Sequence, residues 1–493
     1  MNHLPILNEI SLYELWTSGD LDRLLTTSDG EPIFIMEHGH HDSSFAGPDF
    51  KNAKIKIGNF LYTGDIEIDL NHKDWINHGH NLDSKYNSVI LHICMVNKKH
   101  SRYVYNRDGR RINTVCLSDF LKDEQIEQLI KGSEKTPNDT KLLKCADLVH
   151  VINDNDKVDY ISSLGVRRFQ KKCTRMYDRI KELTYIKEMK ISEPVINYEL
   201  PPSFYQRQFS YQDFQTKEIW QQLLYEHVFE ALGYIKNKNI MIKLAKSANI
   251  EFFKDVLDER DSQVIILTCL LKISGLIPHE LSKIKDPESI SYIQNIEELW
   301  KQVKDKYDGA FFNKSDWHFF RSRPQNFPTI RLAGGAVLLN SFMNKNFIER
   351  LTKYFTRINQ DKALIKAIKS LLIVKASGFW ANHYGFEVSK LERLKYFIGG
   401  LRADDIMINV IFPFMAVFGE VYGNQEVSKR ALRLYTNYDQ TENISIIEQL
   451  SKSLNLDKAS QKSLISQGMI ELYVNYCSKN GCLECKIGKE VFN

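Results

Sequence analysis

The side chains best suited to chemistry fall between Glu37 and His92. Asp65, Glu67 and Asp69 alternate with Ile66, Ile68 and Leu70, the period of a β-strand with one carboxylate face and one apolar face. Asp49 stands upstream in Gly47-Pro48-Asp49-Phe50. Carboxylates brought together repel one another unless a proton or a cation holds them. Hard divalent ions take one or two carboxylates together with water and phosphate oxygens. Asp49 and Glu67 are therefore candidate ligands for Mg²⁺ or Mn²⁺, with Asp69 as a further ligand or a group that orients water. Such an ion lowers the pKa of a bound water and neutralises charge on a phosphate, which is the chemistry of phosphodiester hydrolysis. Imidazoles suit transition metals, and Glu37, His41, His78, His80 and His92 form a candidate polar cluster beside the acids. The alternative role for these histidines is to position loops by hydrogen bonds.

Two further sets of residues invite ligands. Cys477, Cys482 and Cys485 follow an apolar helical run, Ile465 to Tyr473, with the spacing C-x₄-C-x₂-C. Thiolates at that density suggest Zn²⁺ or an iron–sulfur cluster, but three ligands are one short of a closed tetrahedral site. Cys145, Cys173 or a distant histidine are candidates for the fourth, against a compact turn of reduced thiols. In style the loop is similar to the cluster loops of helix-hairpin-helix DNA glycosylases, which use four cysteines and other spacing. Arginines make the second set: Arg107, Arg110 and Arg111 at one turn, and Arg321 and Arg323 with Arg331 near two prolines, all candidates for phosphate contacts or for ordinary surface and helix-end pairing.

The elements that must hold these residues follow from pattern. Ala53, Ile55 and Ile57 alternate with Lys54 and Lys56 and stop at Gly58-Asn59, so 53–57 and 60–70 read as a hairpin, with Asp49 just ahead of its first strand. Residues 32–36 and 88–94 read as further strands. Residues 102–105 and 112–115 flank an Asp108-Gly109 turn and form a second hairpin with the three arginines at its tip. Two short helices are expected within 6–25, and 139–152 is expected to return to the sheet domain after a polar linker at 133–138. Beyond 158 the pattern is helical. It includes a basic-faced helix to about 188, a helix ending at Gly233, one starting at Pro328, and a buried Pro-interrupted segment at 409–414.

Two resemblances rest on these residues. Pro48-Asp49 followed by Glu67-Ile68-Asp69 resembles the PD-(D/E)XK nuclease core, in which Pro-Asp precedes a hairpin strand and acid-x-Lys lies on its partner. Asp69 stands where that pattern has lysine, which leaves Lys54 and Lys56 as candidates to replace it. A second resemblance runs over most of the chain. Residues 46–53, Asp74-Trp75 with His78 and His80, 89–92, 321–328 and the terminal cysteines look like a bacterial family called domain of unknown function 2851, a name that implies no activity.

The chain has 493 residues, 43% of them apolar and 26% charged, which suits a globular protein of several domains. A net charge of +4 permits nucleic acid as a partner without demanding it. No stretch approaches the ~20 apolar residues that span a bilayer, and the amino terminus has no basic region leading into an apolar run. A cytoplasmic protein with reduced cysteines and no membrane partner is expected. P-loop, Rossmann, zincin and Gly-x-Ser-x-Gly motifs are absent from the sequence. The expected fold class is α+β: a mixed, restriction-endonuclease-like sheet over 1–135, a helical region over 136–460, and a terminal helix with the cysteine loop over 461–493. The expected function is metal-dependent hydrolysis of DNA or RNA. The alternatives are a non-enzymatic nucleic-acid-binding or scaffold protein and a hydrolase of a small phosphorylated or nucleobase substrate. Oligomeric state stays open.

Overall fold

The alternating stretch becomes the centre of a seven-stranded mixed sheet in the computed structural model. The structure describes residues 9–18, 25–41, 47–81, 83–97, 101–121, 143–190, 200–234, 236–257, 262–278, 280–319, 326–386, 393–439, 445–456, 462–479 and 481–492. It divides into two compact units, 1–140 and 141–493. The 133–138 linker, Arg321 and Arg323 lie outside the described residues.

In the first unit, the strands are β1 (Ile33–Glu37), β2 (His40–His41), β3 (Phe50–Ile57), β4 (Phe60–Asn71), β5 (Val89–Val96), β6 (Tyr103–Tyr105) and β7 (Arg111–Cys116). Their order is β1-β3-β4-β5-β7-β6, with β2 also on β3. The two hairpins are antiparallel, whereas β4, β5 and β7 run parallel. One face buries Ile55, Ile57, Ile66, Ile68, Leu91, Ile93 and Val115 against Leu12 and Trp16 of helix α1 (Glu9–Thr17). Each large aliphatic side chain so buried contributes roughly 1.5–3 kcal/mol, which fixes the register and turns every acid of β4 to the other face.

That other face is covered too. Trp75 of the short helix α2 (Asp74–Asn77) packs with Tyr86, Val89, Val104 and Ile112 in a separate cluster. The acids of β4 are consequently buried rather than solvated, at 5, 4 and 1% exposure for Asp65, Glu67 and Asp69. Two backbone features shape this region. The β3–β4 register jumps between Phe50↔Ile66 and Ala53↔Gly64, a bulge with Asn52 at φ 57. Gly64 lets β5 approach, because a Cβ there would meet the Ser88 carbonyl oxygen and the Ile90 Cγ2 at 2.5 Å each.

The second unit is largely helical. Its longest helix, Asp154–Met189, is capped by the Asn153 side chain and ends on Lys190 at φ 53. Its basic face is occupied internally: Arg168 and Lys171 pair with Glu471, Arg175 with Glu230, and Arg179 with Glu226. The helix Lys217–Leu232 ends at Gly233, and another starts at Pro328. Residues 407–411 form a π-turn leading into the buried helix Phe412–Val421, which accommodates Pro413. One expectation is corrected here. Residues 143–152 do not return to the sheet: Leu143, Cys145, Val149 and Ile152 are buried with Ile447, Leu450, Met469 and Leu472 of the helical unit. Their short-range apolar pattern carries no mark of which core they join. Among the described residues, no helix is long and apolar enough to cross a membrane.

Candidate metal centre

The carboxylates of the acid face are satisfied in different ways. Asp65 accepts from Lys51 Nζ at 2.6 Å, from the Asn52 backbone N–H at 3.1 Å and from the Ser88 hydroxyl. Asp49 accepts from Tyr13 Oη at 2.6 Å and from the Ile68 backbone N–H at 3.0 Å, while its own N–H donates to Glu67 Oε2 at 3.1 Å. Asp49 and Glu67 are thus brought together, as the hairpin pattern implied, and both oxygens of Asp49 tie α1 and β4 to the entry of β3.

Asp69 differs, because its partners are imidazoles. His78 Nδ1 lies 3.1 Å from Oδ1 and His92 Nε2 lies 3.1 Å from Oδ2. His80 Nδ1 is 3.4 Å from Glu67 Oε1 and 3.8 Å from Asp69 Oδ2. Ligand atoms of Asp69, His78 and His80 all lie within 4.8 Å of one another, the only such trio of His, Cys, Asp or Glu among the described residues. His92 is delivered by strand pairing, since the parallel register sets it beside Glu67. His78 and His80 arrive on the turn that closes α2, where Gly79 at φ 77 reverses the chain and the His80 N–H bonds the Trp75 carbonyl at 2.9 Å.

Electrostatics follow from this packing. Burial pushes the Asp69 carboxyl up, but the bonds from His78 and His92 and the imidazole charges outweigh it and hold the group well below the usual carboxylate range. Burial, opposed by Asp69 and reinforced by His78 and His92, pushes His80 down to about 4. At neutral pH His80 is therefore uncharged, the form in which imidazole ligates a metal. The Tyr86 ring stacks on His80 at 4.0 Å and Trp75 meets it edge-on at 5.3 Å. One carboxylate and two imidazoles, with Glu67 and His92 adjacent, suit a borderline transition ion such as Zn²⁺ or Mn²⁺ better than Mg²⁺, which prefers oxygen alone.

A family model described as "Protein of unknown function (DUF2851)" matches residues 9–190 and 208–444. The chain belongs to this family. No curated protein and no solved structure matches it. In this DUF2851 chain the whole acid face lies within the matched residues, whereas Cys477, Cys482 and Cys485 lie beyond them.

The other sequence candidates of the DUF2851 chain spread out. Lys54 and Lys56 share the acid face of the sheet but pair with Thr63 and Leu61, toward the hairpin turn, and Lys54 Nζ reaches Glu37 Oε1 at 2.7 Å on the surface. The lysine that does reach the acid row is Lys51, which the bulge at Asn52 turns to Asp65. No periodic reading of β3 finds it. His41 is exposed, with Nδ1 2.8 Å from the Asp49 carbonyl. Tyr13, Ser88 and Tyr86 also join the site from segments whose patterns signal only packing. On the second hairpin, Arg110 donates to the Asn87 and Val89 carbonyls at 2.7 Å each and Arg111 lies over the Tyr103 ring at 4.1 Å, leaving Arg107 exposed at the tip. Arg331, in the second unit, is buried and donates to the Phe397 carbonyl at 2.8 Å.

Proposed function

We propose that the acid face is a metal-dependent phosphodiesterase site acting on DNA or RNA, similar in its Pro48-Asp49 and Glu67-x-Asp69 hairpin to PD-(D/E)XK nucleases. The observation that carries the reading is the convergence of Asp69, His78 and His80 beside Glu67. In this reading Asp69, His78 and His80 hold a transition ion, which supplies an activated water and charge neutralisation at phosphorus. Glu67 takes the proton of the attacking water, and Asp49 positions Glu67 through its backbone N–H. Arg107 offers a first contact for a phosphate. The test is hydrolysis of single- and double-stranded DNA and RNA with Mn²⁺, Zn²⁺ or Mg²⁺. Asp69→Asn and Glu67→Gln should each remove activity, and Lys56→Gln should leave it unchanged. Activity preserved in both acid variants would refute the site.

A second reading is supported by the burial itself. His80 and His92 are 1 and 0% exposed, and only His78 of the cluster is open to solvent. A metal held there would pin the 72–80 segment to β4 and β5, and the protein would act as a nucleic-acid-binding or other scaffold. Metal binding without hydrolysis of any of these substrates would favour it.

A further inference from the structure

The carboxyl-terminal cysteines share a core with a fourth cysteine from far back in the chain. Cys145 sits in the turn before the Asp154–Met189 helix, and its residue is buried in the same core as Cys485, with Cys477 packed against that core. The helix Lys486–Phe492 rests on residues 149–151, which brings the end of the chain onto the Cys145 turn. Gly488 of this helix lies so close to the cysteine loop that a Cβ there would meet the Cys482 carbonyl oxygen at 2.1 Å. The loop is closed by the Gly481 N–H donating to the Tyr476 carbonyl at 2.9 Å and by Cys485 donating to Cys482 at 3.2 Å. All four cysteines are free thiols.

Hydrogen bonding gives Cys145, Cys477 and Cys485 no reason to share one core, since a thiol is a weak donor and acceptor. A metal centre gives them one.

We propose that Cys145, Cys477, Cys482 and Cys485 together ligate an iron–sulfur cluster that fastens the carboxyl-terminal loop to the start of the helical unit. The C-x₄-C-x₂-C spacing with a distant fourth cysteine is that of plant-type iron–sulfur sites, which favours a cluster over a single zinc. The site lies in the second unit and is independent of the acid face.

Untagged full-length protein purified without oxygen should contain iron and acid-labile sulfide in equal amounts, about two of each for a two-iron cluster or about four for a cubane. It should show broad visible absorbance that dithionite bleaches. Cys145→Ser should lose most of the iron and the absorbance. Cys173→Ser should keep both, because Cys173 lies elsewhere, with Sγ 3.8 Å from the Pro413 carbonyl oxygen. If Cys145→Ser does not fold, Cys482→Ser at the half-buried loop position decides, with helical circular dichroism compared to the parent. Iron retained in Cys482→Ser, zinc found in place of iron, or neither metal in the parent would each overturn the proposal.

Discussion

Replacing Asp69 by Asn perturbs the acid face at its most buried carboxylate. Asp69 is 1% exposed and accepts from two imidazoles at 3.1 Å each. Hydrogen bonds to a charged group contribute about 1.5–3 kcal/mol each, and the amide oxygen of Asn can still accept one of them. The loss in the metal-free protein is thus about 2–3 kcal/mol, or about 5–10 °C in the melting of a unit of this size. Metal adds a second, separable effect. An ion at a hundredfold excess over its Kd stabilises the parent by about 2.7 kcal/mol, and the variant should lose that increment because one of three ligands is gone. Calorimetry in chelator, then with Mn²⁺ or Zn²⁺, reads both effects. A variant that melts with the parent in chelator would show that Asp69 does not anchor the turn. A parent indifferent to both ions would remove the metal centre and, with it, the proposed chemistry.

Three further outcomes follow from contacts away from the metal. Gly64→Ala forces a methyl to 2.5 Å from the Ser88 carbonyl oxygen and should destabilise the first unit by about 2–3 kcal/mol in urea titration, the upper range of overpacking; a neutral result would mean that β5 can shift freely. Glu226 is fully buried and accepts from Arg179 Nε and Nη2 at 2.8 Å each, so Glu226→Leu should destabilise the second unit by about 3–5 kcal/mol, and adding Arg179→Met should recover much of it if the penalty is the buried guanidinium that keeps Glu182 but loses both bonds to Glu226. Burial pushes His72 down to about 4 and also lowers His227. Their unfolded forms take up protons below about pH 6.5 while the folded forms refuse them, so stability should fall from pH 6.5 toward 4 and the His72→Asn/His227→Gln variant should show a shallower slope over that window. Parallel slopes would contradict both assignments.

The frame of the first unit is legible wherever the signal is local. The Gly58-Asn59 turn, the Ile66/Ile68 alternation and the Asp108-Gly109 hairpin each depend on neighbours within a few residues, and each appears where its pattern sets it. In the helical unit the stop at Gly233 and the start at Pro328 are local in the same sense. What stays hidden is the non-local or the irregular. The bulge at Asn52 reverses which lysine meets the acids, and a single left-handed asparagine leaves no periodic trace. Parallel pairing of β4 with β5 decides that His92 stands beside Glu67, and nothing in either strand sets their mutual register. The burial of Cys145 in the same core as Cys485 joins the two ends of the helical unit, so spacing rules confined to the terminal loop could show only three ligands.

The acid row also argues for one locus over the other possible ones. Buried carboxylates persist only where their charge is compensated, and the compensation differs along β4. Asp65 is held by a lysine, a hydroxyl and a backbone N–H, and Asp49 by a phenol and a backbone N–H. Ammonium and main-chain donors cannot turn and become ligands, and a phenol gives up its proton far less readily than an imidazole, so a cation arriving at Asp65 or Asp49 would have to displace them and leave them unpaired. The partners of Asp69 can exchange roles. An imidazole that donates a proton to a carboxylate can instead release it and bind a metal through the same nitrogen, so the ion replaces protons rather than protein groups. That is why the chemistry is assigned to Asp69, His78 and His80, and why Asp65→Asn should weaken the fold while leaving metal affinity intact. Metal affinity lost in Asp65→Asn protein that still folds would move the centre along the strand and refute this division of labour.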